Sequence, residues 1–231
     1  MVERTLNGTH CKECTCRANI FRNLTPEELE ILDQSRFQVR YKTGEVIFKQ
    51  GTPSPYFVCI TSGMAKLYIE GYGKNLILGI VKAVDYIFGP GIYVDNRHYY
   101  SASAIADSTA CLVDVALFKQ MIRRNPDFAE EFITRVSHQA IINFSQLICL
   151  TQKHMHGRMA DAIYYLYDKI YQTNPFDLSV SRQDLADLSG MSKESAIRIL
   201  KEFKDEGIIH VEGNTMEILN LKQLLAIRET G

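Results

Sequence analysis

The stretch from Ser181 to Lys201, SRQDLADLSGMSKESAIRILK, constrains the fold more than any other part of the chain. It reads as two short helices joined by a tight turn. Ser181 caps the first, and Asp184 three residues later completes a capping box. Leu185 and Leu188 share a face, with small Ala186 beside them where a second helix can cross closely. Gly190 ends the helix, at a position that usually needs a positive φ. Ser192 caps the next helix, and Ala196, Ile199, Leu200 and Phe203 recur at spacings of three and four as its buried stripe. Ser192, Lys193, Glu194, Ile197, Arg198 and Lys201 are left outside. A face carrying Arg, Lys, Glu and Ser suits base edges and phosphates. Two such helices also occur as a hairpin that only binds protein, so spacing alone leaves both readings open.

The next segment favours nucleic acid. After Gly207 comes IIHVEGNTMEIL, two β-rich runs around Gly213-Asn214, a dipeptide suited to a two-residue hairpin turn. A helix-turn-helix followed by a β-hairpin is a winged helix. LKQLLAI, from Leu221 to Ile227, closes the domain as a final short helix.

Bulk charge gives no support to that reading. The net charge of the 231 residues is −1, and the segment from Gln152 to Gly231 carries fewer basic than acidic side chains. DNA binding must therefore rest on a local cationic face. With 46% hydrophobic and 23% charged residues the composition is that of an ordinary globular protein. No apolar run is long enough to span a bilayer, and MVERTLNGTH lacks a signal-peptide core. The expected location is the cytoplasm, with no membrane partner.

From about Phe37 to Phe118 the chain changes character. Short β-rich runs alternate with glycine turns: VIFKQG, YFVCITSG, MAKLYIEGYG, NLILGIV, YIFGPG, ASAIA, ACLVDV. Runs of this length predict a sandwich or barrel. In Met64 to Ile69, alternation puts Met64, Lys66 and Tyr68 on one face and Ala65, Leu67 and Ile69 on the other.

One long helix follows, with Asn125 as N-cap and Pro126 as its first residue, unbroken to about Lys153. Ile133, Val136, Ala140, Asn143, Leu147 and Leu150 form a heptad-like seam. Phe132, Ile141, Phe144 and Ile148 form a second apolar stripe. The expected partners are the same helix of a second subunit for the seam, and the chain's own barrel for the other stripe.

The order of parts, barrel, long helix and winged helix-turn-helix, resembles the Crp–Fnr family of bacterial transcription regulators over nearly the full length. The matching segments are YKTGEVIFKQG, FGPG, TACLVDV, NPDF, HGRMADAI and SRQDLADLSGMSKESAIRILKEFKDEGII. The fold class expected is α+β, with an N-terminal jelly-roll or cupin-like β-barrel over 1–124, a dimerisation helix over 125–153 and a winged helix-turn-helix over 154–231. The resemblance implies a homodimer that binds a near-palindromic operator with a TGA-like core, meets RNA polymerase and is not an enzyme.

Family members share a recognition helix with Glu and Arg four residues apart, here Glu194 and Arg198. Chemistry agrees: Arg can donate two hydrogen bonds to guanine O6 and N7, and Glu can accept from cytosine N4. Ser192, Lys193, Ser195 and Lys201 are candidate phosphate or secondary base contacts. Ser181 and Arg182 are candidate phosphate contacts at a helix N-terminus. Ile197, between the two readers, stands where polar residues are common in the family.

The sensor is read from two clusters. Cyclic-AMP-binding members use a Phe-Gly-Glu segment and an Arg-Ser pair. Here the effector candidates are Phe88, Gly89, Arg97, Tyr100 and Ser101, with Pro90 in place of the carboxylate and Tyr100 in place of the arginine. A cyclic phosphate without a cation is costly to bury, so cyclic AMP is not the expected ligand, although Arg97 and His98 lie near enough to substitute. The second cluster is Cys11, Cys14 and Cys16, with Cys111 at the barrel position that matches the oxygen-sensing branch. An iron–sulfur cluster, zinc or no stable metal are the readings left open. Cys59 and Cys149 read as scattered, and His154 and His156 as solvated or capping. The competing function is a cysteine-dependent metal or redox protein whose C-terminal helices bind protein.

Overall fold

The computed structural model of the protein describes residues 4–5, 11, 13–15 and 17–231. The chain divides into two compact units, one of residues 1–70 and 79–140, the other of 71–78 and 141–231.

The first unit is built on two antiparallel sheets. Its strands are β1 (Arg4–Thr5), β2 (Phe37–Tyr41), β3 (Val46–Phe48), β4 (Tyr56–Ser62), β5 (Met64–Glu70), β6 (Asn75–Lys82), β7 (Tyr86–Ile87), β8 (Ser101–Ala104) and β9 (Ser108–Asp114). The sheet orders are β1-β2-β9-β4-β7 and β3-β8-β5-β6. The two sheets form the sandwich that the short β-rich runs predicted, the two-sheet form of a jelly roll. Gly63 joins β4 to β5 at φ +77°, where a Cβ would come within 2.3 Å of the Asp107 carbonyl oxygen and the Ser108 hydroxyl. Residues of β5 pair with β8 in unbroken register, as alternation requires, but burial does not follow one face. Ala65 and Tyr68, three residues apart, are the buried ones, while Ile69 is exposed.

Helices close the sandwich. They are α1 (Pro26–Ser35), the short α2 (Gly91–Val94), α3 (Val115–Arg124) and the first half of α4 (Pro126–Gln152), whose residues from Ile141 on belong to the second unit. Thr25 and Glu28 form a capping box on α1. Asp114, the last residue of β9, caps α3 by accepting from Ala116 N at 2.7 Å and Leu117 N at 3.2 Å. Phe118 of α3 stacks on Phe57 with ring centroids 4.1 Å apart, and Phe128 of α4 meets Phe118 edge-on at 5.5 Å. All three rings are fully buried, each contributing about 1.5–3 kcal/mol of hydrophobic stabilisation.

The long helix is continuous, and Asn125 Oδ1 caps it by accepting from Phe128 N at 3.0 Å. Its second apolar stripe is not the one expected. Phe132 is buried, but Ile141, Phe144 and Ile148 are exposed. At 3.6 residues per turn, the nine-residue step from Phe132 to Ile141 makes about two and a half turns. The two side chains therefore leave the helix on opposite sides. Ile133, Val136, Ala140, Asn143 and Leu147 are also exposed, and Leu150 is half-buried. Among the described residues no helix is long and apolar enough to cross a membrane.

The second unit contains α5 (Met155–Tyr165), which runs on as a π-helical stretch Leu166–Tyr171, then α6 (Arg182–Leu188), α7 (Lys193–Asp205) and α8 (Leu221–Thr230). Strands β10 (Phe176–Asp177), β11 (Ile209–Glu212) and β12 (Thr215–Ile218) form a sheet in the order β10-β12-β11. Glu212 pairs with Thr215, so Gly213-Asn214 is the two-residue turn, with Gly213 at φ +58°. Met159, Ile163, Leu166, Leu185, Phe203 and Met216 form the centre of its core.

Candidate nucleic-acid interface and buried thiols

The helix-turn-helix follows its sequence closely. Ser181 Oγ accepts from Asp184 N at 3.1 Å, and the Asp184 carboxylate accepts from Ser181 N at 2.8 Å. Gly190 takes φ +63°, and a Cβ there would lie 2.5 Å from a Leu150 methyl, so glycine is needed for conformation and for space. Its carbonyl accepts from Arg158 Nη1 at 3.2 Å. Ser192 Oγ caps α7 by accepting from Ser195 N at 3.2 Å. Ala196, Ile199, Leu200 and Phe203 are buried, as the spacing predicted.

On the opposite face of α7, Ser192, Lys193, Glu194, Ile197, Arg198 and Lys201 are exposed, while Ser195 is half-buried. Ser181 is exposed and Arg182 half-buried at the start of α6. The Glu194 carboxyl is held below the usual carboxylate range by its own backbone N–H and by the Ser192 hydroxyl. It is therefore an anion at neutral pH, able only to accept hydrogen bonds.

Arg198 is not a free side chain. Its Nη1 donates to Glu202 Oε1 at 2.9 Å, and Glu202 Oε2 lies 2.6 Å from Nε2 of His156 on α5. His156 and, after it, Arg198 hold the Glu202 carboxyl below its usual range. His156 is thus not the solvated histidine expected, and Glu202 is a residue the sequence reading passed over. The four-residue spacing from Arg198 to Glu202 was the available signal. His154 stands at the N-cap of α5 without a side-chain cap hydrogen bond.

The polar effector candidates of the sandwich are already engaged within the protein. Tyr100 is buried and its hydroxyl donates to the Phe88 carbonyl at 2.5 Å. Phe88 lies edge-on to Phe132 at 5.3 Å, and Gly89 is buried. Ser101 Oγ donates to Glu70 Oε1 at 2.6 Å and accepts from Gln50 N at 2.9 Å. Arg97 Nη1 donates to the Gly51 carbonyl at 2.7 Å. His98 cannot substitute for the missing cation. It is buried and stacked on Phe48 at 3.7 Å, and desolvation lowers its pKa to about 4.

Three of the four predicted thiols come together, and a fifth cysteine joins them. Cys11, Cys14, Cys59 and Cys111 line one small cavity with Arg36. Cys16 lies outside the described residues. Cys59 is not scattered: it sits directly opposite Cys111 across the β4–β9 ladder, which puts both side chains on one face of the sheet. Asp33 Oδ1 accepts from Cys11 N at 3.0 Å and from Arg36 Nε at 2.9 Å, and Arg36 Nη1 reaches Cys111 Sγ at 3.9 Å. Burial pushes the Cys11 thiol up to about 12 and raises Cys59 and Cys111, while the Arg36 guanidinium pulls Cys11 and Cys111 back. Among the described residues no group of three or more His, Cys, Asp or Glu side chains is placed to hold a metal ion. Cys149 stands apart, its thiol donating to Asp161 Oδ2 at 3.2 Å.

Comparison with known proteins agrees with the geometry. Residues 38–125 match the cyclic nucleotide-binding domain, and residues 157–227 the Crp-like helix-turn-helix domain. The transcriptional activator protein anr of Pseudomonas aeruginosa is 24% identical over 232 residues, covering 97% of this chain and 94% of its own. Electron transport regulator A of Shewanella oneidensis is 26% identical over 222 residues, covering 93% and 88%. Among solved structures, FixK2 from Bradyrhizobium japonicum has a TM-score of 0.75 at 19% identity, over 82% of this chain and 96% of that one. A CooA mutant from Carboxydothermus hydrogenoformans has a TM-score of 0.74 at 18% identity, over 94% and 99%. At these identities the structural likeness is one of fold. With a cyclic nucleotide-binding domain ahead of a Crp-like helix-turn-helix, and relatives of that kind along nearly its whole length, the chain belongs to the Crp–Fnr family of transcription regulators, which are not enzymes.

Proposed function

We propose that this chain is a homodimeric, sequence-specific DNA-binding regulator that reads a near-palindromic operator with α7 and responds to a signal at its N-terminal thiols. The observation that carries the reading is the exposed row Lys193, Glu194, Arg198 and Lys201 on the helix that Ser192 caps. Glu194 and Arg198 read base edges, Arg198 by the paired donors a guanine requires. Ser181, Arg182, Ser192, Lys193, Ser195 and Lys201 hold phosphates and fix the register. The helix seam of Ile133, Val136, Ala140, Asn143 and Leu147 joins two subunits, so that two recognition helices meet half-sites about one helical turn apart. As a transcription regulator it works in the cytoplasm and meets RNA polymerase on the DNA.

The thiol cavity brings together donors of the kind an iron–sulfur cluster takes. Its donors are soft thiols, and Arg36 supplies a cation beside Cys111 to balance thiolate charge. Cys11, Cys14 and Cys111, with Cys16, would hold such a cluster. When bound, such a group supplies a redox-active centre sensitive to oxidants. Around it, burial keeps Cys11 and Cys111 dry, Asp33 orients the Cys11 backbone and Arg36, and Arg36 stabilises the Cys111 thiolate.

Selection of bound sequences from a random pool, followed by titration at several salt concentrations, tests the assignment. Arg198→Ala is expected to relax one guanine in each half-site, at about 1–3 kcal/mol per contact. Lys201→Ala is expected to weaken all sequences alike and flatten the salt slope. Parent-like binding by both variants refutes the role given to α7.

A further inference from the structure

We infer that Glu202 is a specificity-determining residue of the DNA interface, a positioning residue that sets the direction of Arg198 and is itself anchored by His156. The inference rests on the reading of α7 as the recognition helix and adds to it a residue that need not touch DNA. Glu202 lies one turn beyond Arg198, on the side of the helix that borders α5. Its two oxygens have separate partners: Oε1 accepts from Arg198 Nη1 at 2.9 Å, and Oε2 meets His156 Nε2 at 2.6 Å. The carboxylate is thereby tied to two helices, α7 through the backbone and α5 through the histidine ring. A carboxylate held at both oxygens is narrowed in orientation, and the guanidinium bonded to it through Nη1 is narrowed with it.

The donor count leaves Arg198 free to read. A guanidinium carries five N–H donors, and one is engaged by Glu202. Four remain, enough for the two parallel bonds that guanine O6 and N7 accept. Without Glu202, Arg198 is a long exposed side chain with many rotamers, all of which must be given up on binding. With it, the fork is ordered before DNA arrives. As an exposed pair, Arg198 and Glu202 add little to folding stability, so the contact's effect is on direction. The buttress also limits substitution, because a lysine at 198 could meet Glu202 but could not present a planar fork to guanine.

The experiment is a double-mutant cycle on the full-length protein, read by fluorescence anisotropy at one fixed salt concentration. The quantity is the affinity ratio between a selected operator and the same duplex with its half-site guanines replaced. Glu202→Ala is expected to lower that ratio about five- to tenfold, within what one bidentate contact can discriminate. Glu202→Gln, which keeps an acceptor for Arg198, should restore most of it. His156→Ala should cost about two- to threefold, because the carboxylate keeps its place on α7 but loses its anchor. In an Arg198→Ala background, Glu202→Ala should change nothing further, whereas a merely structural role would lower affinity in both backgrounds. A parent ratio in Glu202→Ala, an equal loss without Arg198, or tighter and more selective binding by Glu202→Ala each overturns the inference, the last by marking Glu202 as a competitor of DNA. If Arg198→Ala alone leaves the ratio unchanged, the recognition-helix reading fails and takes this inference with it, a result distinct from failure of Glu202 alone.

Discussion

Ser101 donates its hydroxyl to the Glu70 carboxylate, Oγ to Oε1 at 2.6 Å. In a cyclic-nucleotide-binding relative the matching serine serves a phosphate. Here an anion of the protein already takes that hydrogen bond, and a second anion brought to Ser101 would be repelled by it. The guanidinium of Arg97, four residues earlier in the chain, is bonded to the Gly51 carbonyl. Tyr100, which replaces the family's arginine, is turned inward to Phe88.

The chain is therefore expected to bind cyclic AMP and cyclic GMP no more tightly than about the millimolar range, roughly −4 kcal/mol, by calorimetry. Glu70→Gln removes the resident charge and leaves only the Lys49 ammonium, 4.0 Å from Glu70 Oε2 and largely exposed, a solvated point charge worth little to a phosphate, so affinity should stay weak. Micromolar binding by the parent, lost in Arg97→Ala, would show that Arg97 leaves Gly51 to hold the phosphate.

His98 makes folding stability depend on pH. Burial lowers its pKa from 6.5 to about 4, so the native state keeps the ring neutral while the unfolded chain takes up a proton first. The stabilisation is fully present above about pH 6.5 and is lost as pH falls toward 4. The slope is at most about 1.4 kcal/mol per pH unit, the linkage of one proton. The melting temperature should fall between pH 6.5 and 5, above the range where most carboxylates titrate. His98→Phe, which keeps a ring to stack on Phe48, should flatten that fall. An unchanged slope in this variant would remove His98 as its source.

The elements legible in the sequence are those fixed by neighbours along the chain. Ser181 with Asp184, Gly190, Ser192 and the stripe Ala196 to Phe203 each carry a local signal, and all stand where the pattern put them. Helix α3 was hidden because its cap, Asp114, is also the last residue of a strand. Cys59 read as isolated because its nearness to Cys111 comes from strand register, which joins residues about fifty positions apart. The bonds of Ser101 to Glu70 and of His156 to Glu202 are likewise made between distant parts of the chain. The pairing of Phe132 with Ile141 was an error of phase that helical periodicity itself corrects.

The exposed row on α4 predicts an assembly. Ile133 and Leu147 are each about 60% exposed (63% and 61%), and Val136 lies between them in the seam. Apolar side chains repeated on one helix face need a cover, and a second copy of the same helix gives a self-complementary one. Ile133→Glu or Leu147→Glu would place a charge in that contact at a cost of several kcal/mol. By light scattering the parent should be a dimer at micromolar concentration and either variant a monomer. Operator affinity should fall with it, because the two half-sites would then be bound independently. A monomeric parent would end the assignment.

The thiol cavity predicts what the protein carries when it is purified without air. Cys111 is buried opposite Cys59, with the Arg36 guanidinium 3.9 Å from its sulfur. Thiols lifted this far by burial stay protonated and inert while metal-free. They become good ligands only when a metal supplies positive charge to offset the thiolates. Anaerobic purification, or reconstitution with ferrous iron and sulfide, should give a visible absorption band with stoichiometric iron and acid-labile sulfide, bleached by air. Cys111→Ala and Cys14→Ala should each lose the band and most of the iron. Arg36→Ala should keep the ligands but lose the counter-cation, so its band should bleach faster in air and its reduction potential should move negative. A parent that binds neither iron nor sulfide, or a Cys111→Ala variant that binds both as the parent does, would remove the cluster from this site.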